Sequence, residues 1–148
     1  MSDDPDSVGT TPVTDALVQV SFAVLDVLTR SAAELDLSVT QVRLIGILRD
    51  RSPSMAALAG FLGLDRSSVS GLIDRAEKRR LVERRPSSDD ARVTLVDLTP
   101  AGREIGLRLG VVVTARMNEL LRDVDPTEYD ALLRLAGSMV GGRISSPE

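Results

Sequence analysis

The fold is decided by the stretch MAALAGFLGLDRSSVSGLIDRAEKRRLVERRPSSDDARVTLVDL, residues 55–98. Counting Met55 as the first position, Ala59 falls fifth, Gly63 ninth, Val69 fifteenth and Leu72 eighteenth. Two helices that cross at a tight turn need three things: a small residue where they touch, a turn residue tolerant of positive φ, and apolar anchors on the second helix. Ala59, Gly63, and Val69 with Leu72 meet those needs in that order. Ser54 is placed to cap the first helix, Met55 to Leu62, and Asp65 the second, Arg66 to about Arg80, because their side-chain oxygens can accept from the free N–H groups of a first turn. Beyond them, Leu81–Arg85 and Val93–Leu98 are rich in extended-structure formers and flank the polar loop Pro86–Ala91, which predicts a β-hairpin. The second of these strands is apolar at most positions, so its inward face stays undecided.

Working outward, Ala16, Leu17, Val20, Ala23, Val24, Val27 and Leu28 recur at helical spacing and predict a first helix from about Val13 to Leu35. Ser38 with Gln41 three residues later reads as a capping box opening a second helix with Val42, Leu44, Ile45 and Leu48 on one stripe. It stops before Arg51-Ser52-Pro53. On the far side, Thr99-Pro100 pairs a capping residue with a proline at the first helical position. That helix is expected to reach about Asp123. Asp125-Pro126-Thr127-Glu128 starts a last one carrying Leu132, Leu133, Leu135, Ala136 and Met139, which Gly141-Gly142 ends. The order is ααααββαα without an internal repeat: a mainly α winged helix-turn-helix with a small β-wing. Residues 1–12, acidic and with two prolines, are expected to be a disordered tail, residues 13–141 a single domain, and residues 142–148 a flexible C-terminus.

Composition narrows the chemistry. The 148 residues suit about one domain. Only 2% are aromatic, so the core must be built from Leu, Val, Ile and Ala. The chain has no Cys and no His, which removes thiol chemistry, the commonest general base and the commonest transition-metal ligand. With no Gly-rich phosphate loop either, an enzyme is disfavoured, and no cofactor or metal is expected. No uninterrupted apolar run approaches the roughly 18 residues of a membrane span, and MSDDPDSVGTT has neither basic nor apolar signal character; a cytoplasmic protein is expected. Net charge is −4, yet residues 49–92 carry ten basic and seven acidic groups, net +3, leaving −7 elsewhere. Salt screens charges beyond roughly 8–10 Å, so the local surface matters more than the total, and this middle segment is the candidate phosphate-binding surface.

The stretch from Leu62 to Gly102 resembles the core of the multiple-antibiotic-resistance regulator (MarR) family. The resemblance rests on Asp65-Arg66-Ser67 at the entry of the second helix, Asp74-Arg75, Leu81-Val82-Glu83-Arg84-Arg85, Asp90-x-Arg92 in the wing and Leu98-Thr99. The six-helix order extends it over residues 13–141. It implies a cytoplasmic homodimer acting as a transcription regulator, more a repressor than an activator, with residues 38–99 as the winged lobe and residues 13–35 and 100–141 as dimerisation helices. The recognition helix would enter the major groove of double-stranded DNA and the wing tip the minor groove.

Residue by residue, Ser67, Ser70, Gly71 and Asp74 would face the groove, opposite Val69, Leu72, Ile73 and Ala76. Ser67, Ser68 and Ser70 would bond phosphates or base edges. Arg75 would contact DNA, steadied by the wing carboxylate Asp90, and Arg92 would enter the minor groove. Lys78, Arg84 and Arg85 would meet phosphates. Each has a plainer reading as a solvated helix face, a cap or a turn. Two positions depart from the family pattern. Gly71 stands where a longer polar side chain is common, and Arg80 replaces the glycine usual at the helix end. The resemblance also implies a small aromatic or phenolic effector. No motif marks its site; Arg43 and the region around Met117 are candidate linings, against a reading as core edge or surface. The competing function is a winged-helix protein-interaction module that does not bind DNA, as the acidic total would suit.

Overall fold

The computed structural model describes residues 11–140. Six α-helices and one antiparallel hairpin appear in the expected order: α1 (Pro12–Glu34), α2 (Val39–Leu48), α3 (Met55–Leu62), α4 (Arg66–Lys78), β1 (Val82–Pro86), β2 (Thr94–Leu98), α5 (Pro100–Leu120) and α6 (Tyr129–Met139). The chain forms two compact units, one reaching to Met117 and the other starting at Asn118. Residues 1–10 and 141–148, which include the expected tail, the Gly141-Gly142 stop and the expected C-terminal segment, lie outside the described residues.

The capping chemistry holds. Ser38 and Gln41 form a full capping box on α2, Ser54 accepts from the Ala57 N–H at the start of α3, and Gly63 ends α3 at φ 66°. At α1 the signal sits one residue earlier than expected: Thr11 accepts from the Thr14 N–H and Pro12 is the first helical residue, the same Thr-Pro pair that opens α5. α4 ends at Lys78, two residues short of expectation, in a Schellman motif: the Leu81 N–H reaches the Ala76 carbonyl at 2.9 Å and the Arg80 N–H the Glu77 carbonyl at 2.8 Å. The motif forces Arg80 to φ 56°, a left-handed conformation that favours glycine. α5 stops at Leu120 rather than Asp123, and Asp125-Pro126 opens a short 3-10 turn, Pro126–Glu128, before α6.

In the unit reaching to Met117, one aliphatic core joins α2, α3, α4 and the hairpin through Leu44, Leu58, Ile73, Leu81, Val69 and Val96, all buried. The hairpin pairs Val82 with Leu98 and Arg84 with Val96, which settles the face left open above: Val82, Val96 and Leu98 point inward. The Pro53 carbonyl accepts from the Val96 N–H at 3.0 Å, and Ser54 forms a bridge with Leu95. The segment before α3 thus acts as a third short strand, anchoring the wing to the helix pair. α5 contributes Leu109 to the core, and Arg116 pairs with Glu34 of α1 at 2.9 Å. α1 itself buries only Ser31 and Ala32. It is also long and apolar enough to cross a membrane by length and composition, with mean hydropathy 1.4, which counting uninterrupted apolar runs did not reveal. In the second unit, α6 buries no residue.

Candidate nucleic-acid interface

α4 owes its orientation to Val69, Leu72, Ile73 and Ala76, which are buried at helical spacing as expected. Its entry is set by Asp65. The Ser68 N–H donates to Oδ1 at 2.9 Å, the Ser67 hydroxyl to Oδ1 at 2.6 Å and the Ser68 hydroxyl to Oδ2 at 2.7 Å. These bonds, the Ser67 hydroxyl foremost, hold the Asp65 carboxyl far below the usual carboxylate range. On the outward face Ser67, Ser68, Gly71, Arg75 and Lys78 line one open groove of about 750 Å³, together with Thr40 from α2. Ser70 is half-buried at the edge of this face. A Cβ on Gly71 would stand 3.2 Å from Arg75 Nη1, so the guanidinium lies back across the glycine.

The wing presents Arg92, 90% exposed. Asp90 does not steady Arg75 as expected; no hydrogen bond or ion pair joins the two among the described residues. Asp90 instead accepts from the Arg92 backbone N–H at 3.0 Å and from its Nε at 3.1 Å, which lowers the Asp90 carboxyl through the Arg92 guanidinium and backbone. The two residues lie on one turn, so Asp90 orients Arg92 rather than reaching across to α4. Arg92, Val93 and Thr94 share a hollow of about 460 Å³ with Ser54, Met55, Ala56 and Arg66. Arg66 was missed in the sequence; its place directly after a helix cap was the available signal.

The other basic residues divide sharply. Arg84 reaches Asp74 at 2.8 Å and also pairs with Glu77, and its own N–H donates to Glu77 Oε1 at 3.1 Å. Arg85 pairs with Asp97, which also accepts from the Ser52 hydroxyl. Burial pushes the Asp97 carboxyl up, but Ser52 and Arg85 outweigh it and hold it below the usual range. Arg84 and Arg85, expected at phosphates, thus tie the wing to α4 and to the segment before α3. Arg79 clamps the Asp36 carbonyl at the end of α1. Arg43, considered as an effector lining, instead donates to the Phe61 and Leu62 carbonyls at 2.9 and 3.0 Å and closes the end of α3. Arg66, Arg75 and Lys78 have no carboxylate partner among the described residues.

Behind this lobe, Leu28, Val42, Ile45, Leu107 and Val113 line a cavity of about 410 Å³ whose basic groups are Arg49 and Arg103. Met117 is not among its lining residues. Gly46 and Gly110 also line it, and open space stands where either would carry a Cβ.

A MarR family model matches residues 35–93. Over 106 residues, 70% of this chain and 68% of the relative, the chain is 33% identical to the uncharacterised HTH-type transcriptional regulator YhbI of Bacillus subtilis (strain 168). Among solved structures it resembles CouR from Rhodococcus jostii RHA1 bound to p-coumaroyl-CoA, with TM-score 0.77, 21% identity and coverage of 97% and 100% of the two chains. It also resembles a mutant MarR from E. coli complexed with operator DNA, with TM-score 0.73, 23% identity and coverage of 93% and 99%.

Proposed function

The chain belongs to the MarR family, and from that premise we propose that it is a dimeric, duplex-DNA-binding transcription regulator that represses by occupying a pseudo-palindromic operator. The observation that carries the reading is the shared outward surface of one lobe: Ser67, Ser68, Gly71, Arg75 and Lys78 along a single groove, with Arg66 and Arg92 at a neighbouring hollow. Such a helix fits the major groove, and an exposed arginine on a narrow hairpin fits the minor groove, where negative potential is concentrated. The free cations sit where phosphates would lie, whatever the net charge of the whole chain. Arg84 and Arg85 support the site by fixing the wing. The cytoplasm, where the DNA is, is the proposed place of action.

The second copy is supported by apolar side chains left in solvent: Leu17, Val20, Phe22 and Leu25 of α1, and Leu132, Leu133, Leu135 and Met139 of α6. Burying them against a two-fold partner removes about 25 cal/mol of unfavourable hydration per Å², and it sets two recognition helices roughly one DNA turn apart. We further propose that the 410 Å³ cavity takes a small carboxylate-bearing effector, aromatic or phenolic, with Arg103 at its acid group, Arg49 being paired with Asp50 at 3.0 Å, and that binding shifts the spacing of the two lobes.

The test is selection of bound duplexes from a random library, with Arg92→Ala in parallel. Enrichment of an inverted repeat, weakened in the variant, is the expected result. Recovery of no preferred sequence by either protein would turn attention to the protein-interaction reading.

A further inference from the structure

We infer that the recognition helix reads each half-site with a built-in polarity: its entry, Ser67 and Ser68, accepts hydrogen bonds from base amino groups, and Arg75, laid across Gly71, donates to a guanine edge one or two base steps further on. This deepens the DNA-binding reading and rests on it.

The entry is fixed by elimination. A serine hydroxyl has one proton to donate and two lone pairs to accept with. An ionised carboxylate can only accept, so each contact to Asp65 consumes a proton: the Ser67 hydroxyl at 2.6 Å, the Ser68 hydroxyl at 2.7 Å and the Ser68 N–H at 2.9 Å. Asp65 stays ionised throughout the neutral range, since those same bonds hold its carboxyl far down. In this arrangement the hydroxyls of Ser67 and Ser68 offer the groove lone pairs alone. Guanine O6 and N7, and thymine O4, are acceptors and find no hydroxyl donor there; phosphate is left to Arg66 beside the serines, which has no carboxylate partner among the described residues. The major-groove groups that match are the adenine N6 and cytosine N4 amines.

The middle of the helix has the opposite character. Glycine inside a helix costs about 1 kcal/mol relative to alanine, and at position 71 its missing Cβ makes room for the guanidinium. The nearest atom to that missing Cβ is Arg75 Nη1, at 3.2 Å. A Cβ at 71 would make the guanidinium give by a few tenths of an ångström. The neighbouring acid, Asp74, is already held by Arg84 at 2.8 Å and does not neutralise Arg75. A guanidinium only donates, and its planar fork matches guanine O6 and N7. Because the Arg75 side chain leans back toward residue 71, its head lies about one turn, roughly 5.4 Å, beyond the serines. At about 3.4 Å per base step, that is one or two steps.

The experiment uses the duplex recovered by selection and deletes one functional group at a time across a half-site: 2-pyrimidinone for cytosine, purine for adenine, 7-deazaguanine for guanine. Kd is measured for the wild type, for the double variant Ser67→Ala/Ser68→Ala, and for Arg75→Ala, with thermal melting as the folding control. One amine deletion should weaken the wild type by roughly three- to tenfold, the worth of one hydrogen bond, and leave the double-serine variant unmoved. One 7-deaza substitution, one or two steps away, should weaken the wild type and leave Arg75→Ala unmoved. A neutral methylphosphonate placed singly along the half-site backbone should act alike on the double-serine variant and the wild type. Serines acting on phosphate would instead make one such position weaken the wild type and leave the variant unmoved, and amine deletions harmless to the wild type would equally overturn the polarity. Ser67→Ala alone, which keeps both Ser68 bonds to Asp65, repeats the amine test should the double variant melt early. Failure to bind any duplex is a different outcome and strikes the DNA reading itself.

Discussion

α4 and α6 are helices of similar length, 13 and 11 residues, each with an apolar stripe. α4 buries Val69, Leu72, Ile73 and Ala76 within its own chain, while α6 buries none of its residues and leaves Leu133 62% and Leu135 63% exposed. The winged lobe therefore closes its core without help, and its outward face is free to carry polar groups chosen for a ligand. α6, and likewise the first half of α1, leaves apolar surface in solvent among the described residues, which suits the proposed second copy. A complete core permits a reading surface; an incomplete one asks for a partner.

The largest way to break this contrast is in the core. Ile73→Ala deletes a fully buried side chain and should cost about 2–5 kcal/mol in chemical denaturation. Leu133→Asp on α6 should leave the far-UV spectrum intact but convert dimer to monomer in sedimentation and weaken operator binding. Next in size, Arg92→Ala should lose about 1–3 kcal/mol of duplex affinity without moving the melting temperature, since this exposed side chain hydrogen-bonds only Asp90, on its own turn, among the described residues. Arg80→Gly should stabilise the lobe by about 0.5–1 kcal/mol, because relief of the left-handed strain, about 1–2 kcal/mol, exceeds the added chain entropy; a melting curve checks it.

The smallest effect is acidic. Asp97 is held below the ordinary carboxylate value, so its contribution is complete above about pH 4, the unfolded range, and is lost as pH falls through the lower folded value. Stability should be flat in this respect from pH 7 to 5 and decline below 4. Asp97→Asn should shallow that decline in acid denaturation.

Much of the lobe was legible because its signals are local. Ser38 with Gln41, Ser54, Gly63 and Asp65 each act within four residues of themselves, and each does what its chemistry suggests. The fate of the arginines was not legible in the same way. Arg84 finds Glu77 and Asp74 seven and ten residues back, and Arg85 finds Asp97 across the hairpin; both choices depend on strand register and on how β1 lies against α4. Arg43 reaching the end of α3, and Pro53 pairing with Val96, span 18 and 43 residues and leave no periodic trace. Asp90 illustrates the same limit. Its partner was sought on another element, but the residue two places on in its own turn was within reach and prevailed. Arg80 could be flagged only as a departure, and the Schellman motif at the end of α4 shows what that departure costs in backbone strain.

The central claim, that α4 and the wing form a DNA-reading surface, is tested most directly by duplex affinity as a function of salt for the wild type and Lys78→Ala. The account predicts binding that weakens steeply with salt, and a slope shallower by about two in the variant, one phosphate contact in each half of the dimer. Duplex binding absent at low salt, or present with a slope that Lys78→Ala leaves unchanged along with Arg75→Ala and Arg92→Ala, would contradict it.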